Sequence, residues 1–111
     1  MRNLWIVAVA LVVAVGVSAR ADDDVIEQRL VLKDHAFVPH ELTIPQGRKI
    51  KLIVDNQDPT AAEFESAELH REKVVAAKST TAVFIGPLDP GAYGFFDDFH
   101  RDSTTGTLIV K

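Results

Sequence analysis

Residues 88–111 read LDPGAYGFFDDFHRDSTTGTLIVK. A turn signal, Asp89-Pro90-Gly91, opens the stretch, and Tyr93 and Phe95 then recur at the period of two that a strand with one face in a core requires. A polar loop follows, closes on Thr104-Thr105-Gly106, and hands over to Leu108 and Val110 at the same period. The chain therefore ends in two strands joined by a loop that carries Asp97, Asp98 and His100. Because Tyr93 and Phe95 point to the core, alternation aims Asp97 the same way, where a carboxylate is costly without a cation or hydrogen bonds. Asp98 sits in the turn, where alternation no longer sets a direction.

The same period extends over the rest of the chain. Leu30 with Leu32, Leu42 with Ile44, Ile50 with Leu52 and Val54, and Thr81 with Val83 and Ile85 all repeat it. Turn chemistry separates them at Pro45-Gln46-Gly47, at Asn56 to Pro59 and at Gly86-Pro87. Six to eight short strands with this punctuation predict an all-β protein, a β-sandwich. Only residues 66–78 leave the pattern; they form either a short helical turn or a loop crossing between sheets, and periodicity does not decide between the two.

At the other end, Arg2 precedes an apolar run from Leu4 to Val17 and then Ala19-Arg20-Ala21, the small-x-small pattern of a secretory cleavage site. Residues 1–21 are expected to be a signal peptide and 22–111 a single domain, exported to the periplasm with no membrane span left after cleavage. Of the 12 Lys and Arg, Arg2 and Arg20 precede position 22, leaving ten against 16 Asp and Glu. That acidic balance argues against nucleic acid as a partner. The chain has no Cys, and its one Met is Met1, so the exported domain offers no sulfur ligand and no disulfide. No serine sits in a nucleophile-elbow setting and no glycine-rich phosphate loop exists, so any catalysis is metal redox.

Two halves carry a family resemblance. DHAFVPHELTIPQGRKIKLIVDNQD, with Phe37, Pro39, Leu42, Pro45, Gly47 and Asn56, precedes LDPGAYGFFDDFHRDSTTGTLIVK, with Pro90, Gly91, Tyr93, Phe95 and Gly106. Together they resemble the cupredoxins, which implies a Greek-key sandwich. In a blue copper member the loop after the Tyr-x-Phe strand supplies Cys, His and a thioether Met; here those positions fall on Asp97, His100 and Thr104. The upstream His position is taken by AEFES, with Glu63 and Glu65 around Phe64. A blue site needs a thiolate, so none is expected.

EFESAELHREKVV and DDFH further resemble the Cys-poor cupredoxin-like components of bacterial iron uptake. That resemblance implies a protein that binds iron or copper and assists ferrous iron oxidation, a ferroxidase-like role, or hand-over. Its implied partners are a periplasmic iron-binding protein and an inner-membrane iron permease. The candidate metal ligands are Glu63, Glu65, Asp97, Asp98 and His100, a hard oxygen-rich set with one imidazole that suits iron, manganese, Cu(II) or zinc and disfavours Cu(I). His35, Glu68 and Glu72 are further candidates, while His40 and His70 are expected on the surface. The plainer alternative makes Asp97 and Asp98 turn formers that satisfy loop amides. On that reading the protein is a metal-free adaptor docking its acidic surface on a periplasmic partner.

Overall fold

The computed structural model describes residues 25–111. The expected signal peptide, 1–21, and the acidic segment Asp22 to Asp24 lie outside the described residues. The strands are β1 (Ile26–Lys33), β2 (Ala36–Val38), β3 (Glu41–Ile44), β4 (Ile50–Asn56), β5 (Ala62–Ser66), β6 (Arg71–Val75), β7 (Ser79–Ile85), β8 (Gly91–Asp97) and β9 (Thr105–Val110). A 3₁₀ turn, Asp98–His100, follows β8.

The strands form two sheets, ordered β2-β1-β4-β7 and β3-β9-β8-β5-β6, the sandwich that the period of two predicts. β1 runs parallel to β4 and β3 parallel to β9, so both sheets include long-range pairings that a simple meander lacks. Alternation places Leu30 and Leu32, Ile50, Leu52 and Val54, Val83 and Ile85, Phe64, Phe95, Leu108 and Val110 between the sheets, all buried. At one end of this core Phe95 stacks on Phe64, ring centres 5.3 Å apart, and Phe37 meets Phe95 edge-on at 5.0 Å. These rings close the sandwich beneath the β8–β9 loop.

Residues 66–78 hold neither a helical turn nor a loop that only crosses. A tight turn at 67–70 joins β5 to β6 in the same sheet, with the His70 N–H donating to the Ala67 carbonyl at 3.2 Å. The Ser66 hydroxyl fixes that turn, accepting from the Leu69 N–H at 3.1 Å and donating to the Gly94 carbonyl on β8 at 2.6 Å. The crossing to the other sheet takes only residues 76–78.

Candidate metal centre

Asp97 is the last residue of β8 and lies opposite Phe64 of β5, so its side chain shares the inner face with that ring. It is 1% exposed. Its burial is met by three hydrogen-bond partners: Oδ1 accepts from the backbone N–H of Glu63 at 2.9 Å and of Phe99 at 3.0 Å, and Oδ2 lies 2.9 Å from Nδ1 of His100. The first joins β8 to β5, and the second caps the 3₁₀ turn that brings His100 back over the carboxylate. The loop then closes through the Thr104 N–H on the His100 carbonyl and the Asp97 N–H on the Thr104 carbonyl.

His35 arrives at the same end from the β1–β2 turn. Asp34 and His35 both take left-handed backbone conformations, φ 53° and 59°, as a two-residue hairpin turn demands. Asp58, buried in the loop after β4, accepts from both of their amides, at 2.6 Å and 2.9 Å. Burial pushes the Asp58 carboxyl up, but the His35 and Asp34 amides, helped by nearby His35 and Lys78, outweigh it and hold it below its ordinary value. Thr104, fully buried, donates its hydroxyl to the His35 carbonyl at 2.7 Å and so ties the hairpin to the β8–β9 loop. The His35 ring then lies 4.2 Å from that of His100, tilted by 40°.

The other face of the same sheet holds a second group. β5 alternates with Ala62, Phe64 and Ser66 inward, which turns Glu63 and Glu65 to the outside. Glu65 sits opposite Glu72 on β6 and opposite Phe96 on β8. Oxygen atoms of Glu63, Glu65 and Glu72 all come within 4.8 Å of one another. Lost hydration, then the charges of Glu72, Glu65 and Asp98, push the Glu63 carboxyl above its ordinary range. Asp98 holds Arg101 at 2.7 Å, and that guanidinium lies over the Phe96 ring at 4.7 Å.

The five predicted ligands are thus divided between two places. Glu63 and Glu65 face outward with Asp98 near them, whereas Asp97 and His100 meet at the end of the core. The reason is the alternation of β5: with Phe64 inward, neither flanking glutamate shares a face with Asp97. Glu72 joins the outer group, while the Glu68 carboxylate is engaged by the Gly94 N–H at 2.7 Å. His40 and His70 are exposed, and so is Phe99. Asp58 is the participant that the sequence reading passed over; its signal is Asn56-x-Asp58 behind a buried strand, where the Asn56 side chain accepts the Asp58 N–H at 3.0 Å.

The family model of the cupredoxin-like domain matches residues 4–110. The chain belongs to the cupredoxin-like domain family. Among curated proteins, it is 43% identical over 92 residues to the uncharacterized protein RP394 of Rickettsia prowazekii (strain Madrid E), covering 83% of this chain and 74% of that one. Among solved structures, it is similar to the metal-binding domain, with Cu(I), of the Cu(I)-exporting P-type ATPase CopA of Streptococcus pneumoniae D39. That match has a TM-score of 0.72 and 12% identity over 80% of this chain and 88% of the other. Auracyanin A, a blue copper protein of Chloroflexus aurantiacus, matches with a TM-score of 0.68 and 14% identity over 78% and 99%. These likenesses show that the chain has the cupredoxin fold.

The donors of this cupredoxin-like chain do not fit a blue copper ion. It has no Cys, the inward position at the end of β8 is a carboxylate with both oxygens already engaged, and the Thr104 hydroxyl is directed to a backbone carbonyl.

Proposed function

We propose that the protein binds an iron or copper cation in the periplasm as an accessory of iron uptake, taking the metal on the outer face of β5, β6 and β8 and passing it on. The observation that carries this reading is the mutual approach of the Glu63, Glu65 and Glu72 oxygens to within 4.8 Å. Three like charges at that distance repel unless a proton or a cation lies between them, and that repulsion adds to the larger effect of lost hydration in raising the Glu63 carboxyl. An all-carboxylate set is hard: it favours Fe(III) over Fe(II) and disfavours Cu(I). Such a face holds the oxidised ion more tightly than the reduced one, which favours loss of the electron from Fe(II) to an external oxidant of the dioxygen class. Its placement on an open sheet face suits hand-over to an iron-binding protein or a permease better than permanent storage. AEFES and DDFH, whose likeness to iron-uptake components motivates the iron assignment, contribute Glu63, Glu65 and Asp98 to this face.

The adaptor reading also has an observation behind it, since Val74, 55% exposed, pairs with Glu63 and adds an apolar contact beside the acids. Calorimetric titration with Fe(II) under anaerobic conditions, repeated with Mn(II) as a redox-silent stand-in, separates the two. The metal reading expects saturable binding at one ion per chain that the combined Glu63→Gln, Glu65→Gln and Glu72→Gln variant loses. No binding to the parent would leave the adaptor reading in place, and unchanged binding in that folded variant would put the metal somewhere other than the acidic face.

A further inference from the structure

An unpaired sheet edge presents a row of N–H and C=O groups to any other strand, and proteins that stay single guard it with short strands, proline or charge. Among the described residues the two sheets have their edges at β2, β7, β3 and β6. β2 is three residues long and runs into Pro39; β3 is four long, opens on Glu41 and runs into Pro45. β6 carries Arg71, Glu72 and Lys73 in succession. β7 has none of these devices: its seven residues, STTAVFI, include no charge and no proline, and Phe84 on it is 52% exposed. We propose that β7 is a self-pairing edge, along which two copies of this chain join antiparallel about a twofold axis at Ala82. The pairing uses no residue of the acidic face and stands whether or not that face takes a metal.

The direction of the free backbone groups follows from Arg71. Its Nε donates to the Phe84 carbonyl at 2.9 Å from the β6 side, so that carbonyl points away from β4. By the alternation of an antiparallel ladder, the N–H and C=O groups of Thr80 and Ala82 point the same way, while Thr81 and Val83 bond to β4. Among the described residues Arg71 is the one side chain that engages this edge. Its Nη1 also donates to the His70 carbonyl at 3.0 Å, so the guanidinium keeps an acceptor when an incoming strand takes its place on Phe84.

The strand is complementary to itself. A twofold axis at Ala82 sets Ala82 opposite its own counterpart, Thr80 opposite Phe84, Thr81 opposite Val83 and Ser79 opposite Ile85, so the whole of β7 is matched. The edge-directed groups of Thr80, Ala82 and Phe84 then satisfy one another in about six hydrogen bonds. On the outer face each Phe84 ring meets Thr80 of the second copy directly and Ala82 of the second copy diagonally, two small side chains that leave room for it. Within each copy Lys51 is the β4 partner of Phe84, and Asp55 that of Thr80. Each Phe84–Thr80 row across the junction therefore ends on Lys51 of one copy and Asp55 of the other, opposite in sign. The arrangement also closes, since each copy spends its one unguarded edge and growth stops at two. A junction one strand wide is small, which places the dimer at the weak end of specific interfaces.

Sedimentation velocity of the protein from low micromolar to millimolar concentration tests the pairing. A monomer–dimer equilibrium with no larger species is expected. Ala82→Lys sets two like charges opposite one another on the axis and should weaken the dimer roughly tenfold or more, with the near-ultraviolet circular dichroism as in the parent. Because the chain has no Cys, Ala82→Cys supplies one thiol per copy. Across a hydrogen-bonded antiparallel pair the Cα atoms lie about 5.5 Å apart, within disulfide reach, so this variant should oxidise to a covalent dimer. Val38→Cys, exposed on the opposite edge strand β2, should stay monomeric at the same concentration. A dimer indifferent to Ala82→Lys, equal cross-linking through Val38→Cys, or growth beyond two would each overturn the proposal. So would a protein monomeric throughout, which would leave the β7 edge to an extended segment of some other protein.

Discussion

Asp97 and Asp98 are neighbours in sequence and serve opposite sides of one sheet: Asp97 is buried and holds His100 at 2.9 Å, whereas Asp98 faces outward and holds Arg101 at 2.7 Å. One step along the chain thus separates an inner carboxylate fully engaged by hydrogen bonds from an outer one near Glu63. The strand ends between them, and the 3₁₀ turn begins with Asp98.

Truncating Asp97 should therefore be a stability experiment first. Asp97→Ala leaves the Glu63 and Phe99 amides without their acceptor, in a part of the fold that water reaches poorly. Each stranded donor costs about 1–3 kcal/mol, so a loss of roughly 2–5 kcal/mol is expected in urea denaturation. Asp97→Asn keeps an oxygen for the two amides and should lose markedly less. Equal losses in the two variants would show that the carboxylate's hydrogen bonds are not what holds the loop.

Asp58 sets an acid limb. Its carboxyl is held below the ordinary value because the His35 and Asp34 amides outweigh the opposing effect of burial. The folded state then binds fewer protons than the unfolded one, so the Asp58 contribution is complete above the unfolded pKa of about 3.9 and is lost as pH falls through the lower folded value. Asp55, lowered chiefly by the Gln57 amide and also by Arg29, against the effect of burial, adds to the same limb. Denaturation midpoints should fall steeply below about pH 4, and Asp58→Asn should flatten that fall while lowering stability at neutral pH. A variant as acid-sensitive as the parent would remove Asp58 from the account.

Glu63 runs with the opposite sign. Its raised carboxyl means that the folded state binds more protons than the unfolded one, so stability falls as pH rises from about 4.3 through the folded value. Glu63→Gln should stabilise the metal-free protein at pH 7 and weaken metal binding in the same sample. Thermal melts with and without Mn(II) check both: the variant should melt higher without the ion and gain less from adding it. A variant less stable than the parent without metal would mean that the glutamate makes a favourable contact stronger than the repulsion.

The sandwich was legible because its long strands put large apolar residues on one face, as Ile50, Leu52 and Val54 do. β5 and β6 were not. β5 alternates regularly, but two of its three inward residues are Ala62 and Ser66, which carry little hydrophobic signal. β6 is an edge strand with only Val75 buried, so no face reveals itself. The same blind spot hid the division of the candidate ligands, since the outward direction of Glu63 and Glu65 follows only once β5 is known to be a strand. The inward direction of Asp97 was readable from Tyr93 and Phe95. His35 was a further candidate, but the two-residue hairpin turn of Asp34 and His35 that carries it to this end was not readable, because that turn lacks a glycine.

Gly106, at the end of the β8–β9 loop, lies against the Phe95 ring. A Cβ on Gly106 would overlap Cζ and Cε1 of Phe95 and come to 3.0 Å from the His40 carbonyl oxygen. Phe95 has nowhere to retreat, being 2% exposed and packed against both Phe37 and Phe64. Gly106→Ala should cost about 1–3 kcal/mol by overpacking and alter the phenylalanine fine structure in near-ultraviolet circular dichroism. Gly47→Ala is the matched control: its Cβ meets nothing within 4 Å, but φ is +71°, so the expected cost is about 1–2 kcal/mol of backbone origin. The two variants should therefore lose similar stability while only Gly106→Ala changes the aromatic spectrum. An unaltered spectrum there would mean that β9 shifts as a body and the ring cluster beneath the His35–His100 pair stays in place.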